Sequence, residues 1–293
     1  MIYNQSYKTI SIFGPGLLGG SLALAIRKYL PDVTVKLWGR RQHALDIALA
    51  FDPHIMASTD LISSVKDADL IVLATPVGVM QGLSESLFSH IKPDATVTDV
   101  GSVKGFVHES IGSFFSAHGI TFIGSHPMAG SEHQGMEYAD PELFTGATCV
   151  LTNNEQASEQ SVENLANFWQ SLGGITLCLD AFEHDSMVAR ISHLPHAMAS
   201  LCVNTALTGQ NIDLLGKLAA GGFRDTTRVA MGEPNMWSEI LLENKEAMLT
   251  CLSELQNQLN HLESMIVSDE KDNLAQWLTS AAQMRAQALD LNE

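Results

Sequence analysis

Basic residues are scarce in this chain of 293 residues, because 16 lysines and arginines stand against 33 aspartates and glutamates, giving a net charge of −17. Such a surface repels phosphate-rich polymers and anionic lipids, which argues against nucleic acid and membranes as partners. No lysine or arginine occurs between Lys104 and Arg190. An anionic ligand must therefore be held by residues outside that segment, by helix N-termini or by a second subunit.

Cysteines and long apolar runs are also few. The four cysteines are far apart and include no CxxC pair, which argues against a zinc ribbon or a disulfide scaffold and fits reduced thiols. No apolar run reaches the length of a membrane span, and the N-terminus lacks the pattern of a signal peptide. We therefore expect a cytoplasmic protein with one large domain or two moderate domains.

The segment KTISIFGPGLLGGSLALAIRK (residues 8–28) predicts a strand, a glycine-rich turn and a helix. Its glycines follow the GxGxxG spacing: Gly14 permits a tight turn, Gly16 lets the backbone approach a pyrophosphate, and Gly19 lets the helix pack on the strand. The N–H groups at the start of the helix favour phosphate binding. The candidate dinucleotide-binding residues of this turn are Gly14, Gly16, Leu17, Leu18 and Gly19.

The next predicted strand, VTVKLW (residues 33–38), ends in Gly39, Arg40 and Arg41. An NAD enzyme usually carries an acidic residue here, whereas arginine can pair with the 2′-phosphate of NADP. We therefore favour NADP over NAD; the alternative is that both arginines are ordinary solvated residues at a helix start. A further apolar strand, DLIVLATP, ends in Thr75 and Pro76, which we expect beside the nicotinamide ribose.

Polar residues follow two later predicted strands. Ser102 lies in ATVTDVGSVKG (residues 95–105), and His126 lies in TFIGSHPMAG (residues 121–130). Ligands of open α/β sheets bind beyond the carboxyl ends of the strands, which makes both residues functional candidates. With two more strand candidates, GATCVLT and GGITLCLD, the sequence predicts a Rossmann-type NAD(P)-binding domain over residues 1–179.

The second half, residues 180–293, shows helical periodicity and no strand pattern. We expect a helix kinked at Pro195, a loop at GGFRDTTR, a long amphipathic helix over residues 235–266, and a last helix. The predicted fold class is thus α/β plus all-α, with a C-terminal helical domain that binds substrate and forms a homodimer.

Four segments together carry a family resemblance: DVGSVKG, GSHPMAGSE, HDSMVARISHLPHAMA and GGFRDTTRVAMGEPNMW. In this order the chain resembles the prephenate/arogenate dehydrogenase family of tyrosine biosynthesis. The resemblance implies hydride transfer from the ring carbinol of prephenate or arogenate to a nicotinamide, with loss of the ring carboxylate as CO2. The expected product is 4-hydroxyphenylpyruvate or tyrosine.

The resemblance also implies roles for particular residues. His126 would accept the hydrogen bond of the ring hydroxyl as a neutral imidazole, Ser102 would bond this histidine and the substrate, and Arg228 would bind a substrate carboxylate. Asp225 would orient an arginine. The remaining implied substrate-binding residues are His196, Ser192, Ser131 and Glu132.

Several points stay open at the level of sequence. Glu132 could pair with the ammonium group that arogenate carries and prephenate lacks, but one carboxylate does not decide between them. The spacing of His193 and His196 resembles half a metal site, but no acidic or cysteine partner is near, so we expect no metal. His184 and Asp185 read as a helix start.

Two other functions remain possible on the sequence alone. A 3-hydroxyacid dehydrogenase or imine reductase would share the fold plan but usually has a catalytic lysine on the first helix of the second domain. A non-catalytic NADP-binding sensor would keep the glycine turn without His126, Ser102 and Arg228. The last predicted helix ends close to Glu293, so we expect no appended regulatory domain and expect any inhibition by tyrosine at the active site.

Overall fold

A computed structural model describes residues 6–131 and 133–290. Six parallel strands form a sheet in the order β3-β2-β1-β4-β5-β6, which is the strand order of dinucleotide-binding folds. The predicted Rossmann-type fold is confirmed. The strands are β1 Thr9–Phe13, β2 Thr34–Trp38, β3 Met56–Ser58, β4 Leu70–Leu73, β5 Thr96–Asp99 and β6 Thr121–Phe122.

Helices cover both faces of this sheet. Strand β4 has the sequence LIVL and is buried throughout; Leu70 and Val72 enter one apolar core, and Ile71 and Leu73 enter another. This alternation explains the continuous apolar run in the sequence, because successive side chains point to opposite faces. The helices of this part are α1 Leu17–Tyr29, α2 Gln42–Phe51, α3 Leu61–Val65, α4 Val77–Leu87, α5 Gly105–Val107 and α6 Ser113–Ala117.

A second sheet of three strands follows, in the order β7-β8-β9. It consists of β7 Gly124–Pro127, β8 Thr148–Thr152 and β9 Ile175–Leu179, with helix α7 Glu159–Ser171 between β8 and β9. The single strand predicted over TFIGSHPMAG is therefore two strands in two sheets. Ile123 N still donates to Val97 O in the first sheet, and the chain then turns so that His126 pairs with Val150 of β8.

Every described element after β9 is helical, as expected. These helices are α8 Ala181–Val188, α9 Leu194–Leu207, α10 Ile212–Leu218, α11 Gly221–Thr227, α12 Pro234–Glu243, α13 Lys245–Val267 and α14 Lys271–Asp290. A π-helical turn, Ala189–His193, joins α8 to α9 just before Pro195. This widened turn is the local form of the predicted kink, because Pro195 has no N–H to continue a regular α-helix.

Two expectations about the helices are wrong. The segment GGFRDTTR is helix α11 and the start of the 3-10 turn Arg228–Met231, and is not a loop. The long helix predicted over residues 235–266 is interrupted at Asn244, where α12 ends and α13 begins. Asn244 is buried and its side chain bonds to other parts of the chain, so side-chain contacts override the amphipathic pattern here.

The chain divides into two compact units between Lys245 and Glu246. The first unit holds both sheets and helices α1 to α12. In the second unit, Trp277 Nε1 donates to Gln258 Oε1 at 3.3 Å. Within the described residues, no helix has the length and apolar character needed to cross a membrane.

Candidate active site

Strand register brings the predicted site segments to one edge of the first sheet. Phe13 pairs with Trp38 and Leu73, and Leu73 pairs with Asp99. These four residues end β1, β2, β4 and β5. Because parallel strands end at the same edge, the segments that follow them meet there: the glycine turn, Gly39 to Arg41, Thr75 to Pro76, and the turn that contains Ser102.

The glycine turn has the geometry of a phosphate-binding loop. Gly14 has φ +121°, and a Cβ there would lie 2.4 Å from Ala74 O; a Cβ on Gly19 would lie 2.0 Å from Gly14 O. A Cβ on Gly16, by contrast, would meet no atom within 4 Å, so the backbone faces open space. Helix α1 starts after Gly16 without a side-chain cap, which leaves its N–H groups for a ligand.

A buried hydroxyl adjoins this turn. Thr75 Oγ1 is buried and has no hydrogen-bond partner among the described residues. A Cβ on Gly14 would lie 3.1 Å from Thr75 N, so the two segments are in contact. A buried hydroxyl normally has a partner, and a nucleotide bound at the turn would supply one. The residues present therefore fit a dinucleotide.

Arg40 and Arg41 are exposed at the start of helix α2. A Cβ on the preceding Gly39 would lie 2.6 Å from Pro15 Cγ, and Gly14 N donates to Trp38 O at 3.0 Å. The end of β2 therefore packs directly on the glycine turn. Arg40 and Arg41 come immediately after this contact in the chain.

His126 lies in β7 and is 8% exposed. Its Nδ1 is 2.8 Å from Nε2 of His184 on helix α8, and Nδ1 of His184 is 2.8 Å from Asp185 Oδ1. The two rings meet edge to face, with centroids 5.0 Å apart. His126 thus uses Nδ1 within the protein, which leaves Nε2 as the ring nitrogen that can meet a substrate.

The surroundings of His126 keep its imidazole neutral. Burial lowers the pKa of His126 well below its usual value, and the nearby His184, Lys104 and His193 lower it further. Burial also lowers the pKa of His193 to about 4. A neutral imidazole can accept a hydrogen bond, which is the role that the family resemblance implies for His126.

A fully buried ion pair holds the strand that carries His126. Lys104 Nζ pairs with Asp99 and donates to Ser125 O at 2.9 Å, and both charged side chains are fully buried. Asp99 also accepts from Ser125 N at 3.1 Å and Gly101 N at 2.8 Å. Lys104 is therefore committed to the structure, and a substrate carboxylate must find its cation elsewhere.

Another buried histidine, His196, lies in helix α9. The His196 ring stacks on Trp237 with centroids 3.6 Å apart and an angle of 12°, and His196 Nδ1 is buried without a partner among the described residues. A Cβ on Gly232 would lie 2.8 Å from His196 Cε1 and 2.4 Å from Trp237 Nε1. Glycine is therefore required where the chain passes this pair. Trp237 is half-buried and stacks on His196.

The other predicted residues occupy separate places. Ser102 is half-buried in the turn after β5, and among the described residues no hydrogen bond joins it to His126. Ser192 lies in the π-helical turn, and Arg228 is exposed at the start of the 3-10 turn. Ser131 is exposed after β7, where its Oγ accepts from His133 N at 3.1 Å. Glu132 lies outside the described residues.

Sequence reasoning missed the contact that His184 of the helical half makes with His126, and the residues behind it. It treated His184 and Asp185 as a helix start, but α8 begins at Ala181 with Asp180 as its N-cap, and His184 faces His126 from the next turn. It also missed Asn244, whose amide donates to Asp185 O at 2.8 Å. The available signal was a histidine and an aspartate inside an apolar helix pattern, and an asparagine interrupting another. Across the described residues, no cluster of three or more metal-ligating side chains is present.

A parallel sheet in this order, a phosphate-binding glycine turn and a buried histidine beyond the strand ends define a nucleotide-binding oxidoreductase. Two family models match the chain. The model for the nucleotide-binding domain of prephenate dehydrogenase matches residues 22–177, and the model for the dimerization domain of prephenate dehydrogenase matches residues 180–280. The chain belongs to the prephenate dehydrogenase family.

Relatives along nearly the whole chain agree with this membership. A cyclohexadienyl dehydrogenase of Zymomonas mobilis is 33% identical and covers 95% of each chain. The crystal structure of prephenate dehydrogenase from A. aeolicus in complex with hydroxyphenyl propionate and NAD+ is 29% identical, covers 97% of this chain and 99% of that one, and has a TM-score of 0.89. The arogenate dehydrogenase of Synechocystis is 31% identical, covers 96% and 99%, and has a TM-score of 0.82.

Proposed function

We propose that this protein catalyses the oxidative decarboxylation of prephenate or arogenate with NAD(P), giving 4-hydroxyphenylpyruvate or tyrosine and CO2. The observation that carries the proposal is the buried His126, held neutral with Nε2 left for a ligand, beyond the strand ends of a nucleotide-binding sheet. Family membership supports the same reaction, because similar proteins are named for prephenate, cyclohexadienyl and arogenate dehydrogenase activity.

The reaction requires the protein to position the substrate and to supply one hydrogen-bond acceptor for its ring hydroxyl. When bound, the nicotinamide supplies the hydride acceptor. His126 Nε2 accepts the hydrogen bond of the ring hydroxyl and stabilises the positive charge that develops on the carbinol as its hydride leaves. The electron pair of the breaking C–COO⁻ bond then enters the ring, which becomes aromatic as CO2 departs, and the hydroxyl proton remains with the phenol. Burial around His126 excludes water from this step.

For the cofactor we propose a preference for NADP. The support is the position of Arg40 and Arg41, which follow the strand end that packs on the glycine turn. An exposed guanidinium there can pair with a 2′-phosphate, and VTVKLW-GRR offers no carboxylate for the ribose hydroxyls.

Arg40→Asp is expected to shift the preference from NADP toward NAD. A charge-assisted hydrogen bond contributes roughly 1.5–3 kcal/mol, so the ratio of kcat/KM for NADP to that for NAD should fall by about tenfold or more. The matched control is Lys66→Asp, which makes the same charge change at another exposed position. An unchanged kcat/KM ratio in Arg40→Asp, or an equal fall in both variants, would mean that another residue binds the 2′-phosphate.

We propose Arg228 as the cation for a substrate carboxylate. Lys104 is committed to Asp99, and residues 105–189 contain no lysine or arginine. Arg228 lies in the 3-10 turn that packs against α9, the helix of His196. We assign Ser102 to the hydroxyl end of the substrate, and His196, Ser192, Ser131 and Glu132 to the pocket lining.

Arg228→Ala is expected to raise KM for the substrate by about 10- to 100-fold with a smaller effect on kcat, because a charged hydrogen bond contributes roughly 1.5–3 kcal/mol. Steady-state kinetics at saturating cofactor measures this. Arg285→Ala removes the same charge from an exposed site on α14 and serves as the control. If KM stays at the wild-type value in Arg228→Ala, Arg228 does not bind the carboxylate.

We also propose that the two halves of the chain have different roles. Residues 1–179 would bind the nucleotide, and residues 180–293 would bind substrate and join two copies into a homodimer. Support comes from the dimerization-domain model over residues 180–280. A 3-hydroxyacid dehydrogenase or imine reductase is less well supported, because residues 181–207, which form α8 and α9, contain no lysine.

The test is an assay of the purified protein with each of two substrates and each of two cofactors, followed by the absorbance of the reduced nicotinamide. We expect turnover with at least one substrate and faster turnover with NADP than with NAD. Comparison of the two substrates decides between prephenate and arogenate. No turnover in any of the four pairings would refute the proposed reaction.

A further inference from the structure

The Asp185 carboxylate fixes the hydrogen positions of His184. Its Oδ1 accepts from Lys104 N and its Oδ2 accepts from Gly105 N, both at 2.7 Å. Backbone N–H groups only donate, so both oxygens act as acceptors. His184 Nδ1, 2.8 Å from Oδ1, therefore meets an acceptor and carries the hydrogen of its ring.

The hydrogen position of His184 then determines that of His126. A neutral imidazole with hydrogen on Nδ1 has a lone pair on Nε2, and His184 Nε2 lies 2.8 Å from His126 Nδ1. With His184 in this neutral form, His126 donates through Nδ1 to complete the bond. Its own Nε2 is then a lone-pair acceptor, which is the form needed to accept the hydrogen bond of a substrate hydroxyl.

We infer that His184 and Asp185 are positioning residues, which hold His126 in the tautomer with hydrogen on Nδ1 and so make Nε2 the acceptor. The inference rests on the proposed function and deepens it. The principle is known from Ser-His-Asp triads, where loss of the carboxylate leaves the imidazole in the wrong tautomer and lowers kcat roughly 10⁴-fold.

Neighbouring residues keep this chain of contacts in place. Asn244 donates from Nδ2 to Asp185 O at 2.8 Å and bonds His193 Nδ1 at 3.1 Å, so it ties α8 to the end of α12 and to the π-helical turn. A Cβ on Gly105 would lie 2.9 Å from Asp185 Oδ2. Glycine at this position therefore lets the carboxylate reach the two backbone N–H groups.

The titratable groups around His126 come from several elements. His184 and Asp185 lie on α8, Lys104 lies after β5, and His193 lies in the π-helical turn. Glu243, at the end of α12, interacts with Lys104 and Asp185, and burial raises its pKa to about 7. A change in the pH profile of kcat must therefore be assigned with variants of His184 and Asp185, the residues that form the contacts behind His126.

The experiment combines histidine tautomers with kinetics. Nitrogen-15 NMR of histidine side chains in the unliganded wild-type protein reports which ring nitrogen of His126 carries hydrogen, and His126→Asn assigns the signal. The variants are His184→Leu, which removes the acceptor, and His184→Gln, which retains an acceptor oxygen. Asp185→Asn is matched by Glu155→Gln, because Glu155 forms a comparable pair with the buried His108 at 2.5 Å.

We expect His126 in the wild type to carry hydrogen on Nδ1. His184→Leu and Asp185→Asn should shift the ring hydrogen of His126 toward Nε2. Both variants should lower kcat by about 10²-fold or more and leave KM little changed. They should also move the acid limb of the pH profile of kcat. His184→Gln should restore the Nδ1–H signal and much of kcat. Glu155→Gln should lower the thermal midpoint without changing the tautomer or the pH profile of kcat.

The inference is overturned if wild-type His126 carries hydrogen on Nε2, or if His184→Leu keeps the wild-type tautomer and kcat. It is also overturned if His184→Gln and His184→Leu lose kcat equally with unchanged pH profiles, because that pattern indicates packing alone. Failure of the proposed function is distinct: the wild type would then turn over neither prephenate nor arogenate, whereas the NMR measurement requires no turnover.

Discussion

His126→Asn is expected to lower kcat by about 10²- to 10⁴-fold, the usual contribution of a general acid–base group, and to leave KM nearly unchanged. Asparagine offers no basic nitrogen in place of Nε2, so the charge that develops on the carbinol loses its acceptor. The carboxylate contact, which we assign to Arg228, remains. Steady-state kinetics with the better substrate and cofactor pairing measures both parameters.

His118→Asn is the control for this prediction. His118 is an exposed histidine whose Nδ1 lies 2.7 Å from Phe114 O, at the end of α6 and outside the proposed site. It should retain wild-type kcat. Circular dichroism should confirm that His126→Asn is folded, as its place in β7 pairs through the backbone with Val150. A kcat within a few-fold of wild type in folded His126→Asn would remove His126 from the reaction.

Asp99→Ala is expected to destabilise the protein by about 3–5 kcal/mol, the cost of leaving one member of a buried ion pair uncompensated. Lys104 and Asp99 are both fully buried. Without Asp99, the Lys104 ammonium would keep its hydrogen bond to Ser125 O but lose its counter-charge. The midpoint of urea unfolding, followed by fluorescence and circular dichroism, measures the loss.

A double variant tests the reason for this loss. Asp99→Asn combined with Lys104→Met leaves neither charge unpaired, so it should be more stable than Asp99→Asn or Lys104→Met alone. Its amide can still accept a hydrogen bond from Ser125 N, which Asp99 Oδ1 accepts at 3.1 Å. Strictly additive losses in the double variant would show that the pair contributes through packing rather than charge.

Much of the nucleotide half could be predicted from the sequence, for local reasons. Gly14, Gly16 and Gly19 have the GxGxxG spacing of a nucleotide-binding turn, and the structure leaves no room for a Cβ at Gly14 or Gly19, whereas Gly16 faces open space. The strand that ends before Thr75 was predicted from its continuous apolar run, which reflects burial on both faces. Such signals lie within a few residues of one another.

The contacts that complete the site could not be predicted, because they join distant segments. His126 and His184 are 58 residues apart in sequence, and Asn244 and Asp185 are 59 apart. A helix pattern gives the face of a residue but not its partner on another element. For the same reason the sequence predicted one long helix through Asn244. The hydrogen bonds of its buried side-chain amide decide where α12 ends.

The most direct test of the central claim measures reduced nicotinamide and CO2 together, with the wild type and His126→Asn side by side. The account predicts that the wild type releases one CO2 for each nicotinamide reduced, from prephenate, arogenate or both, and that His126→Asn loses both signals in the same proportion. Reduced nicotinamide without CO2, neither product from the folded wild type, or full activity in His126→Asn would contradict it.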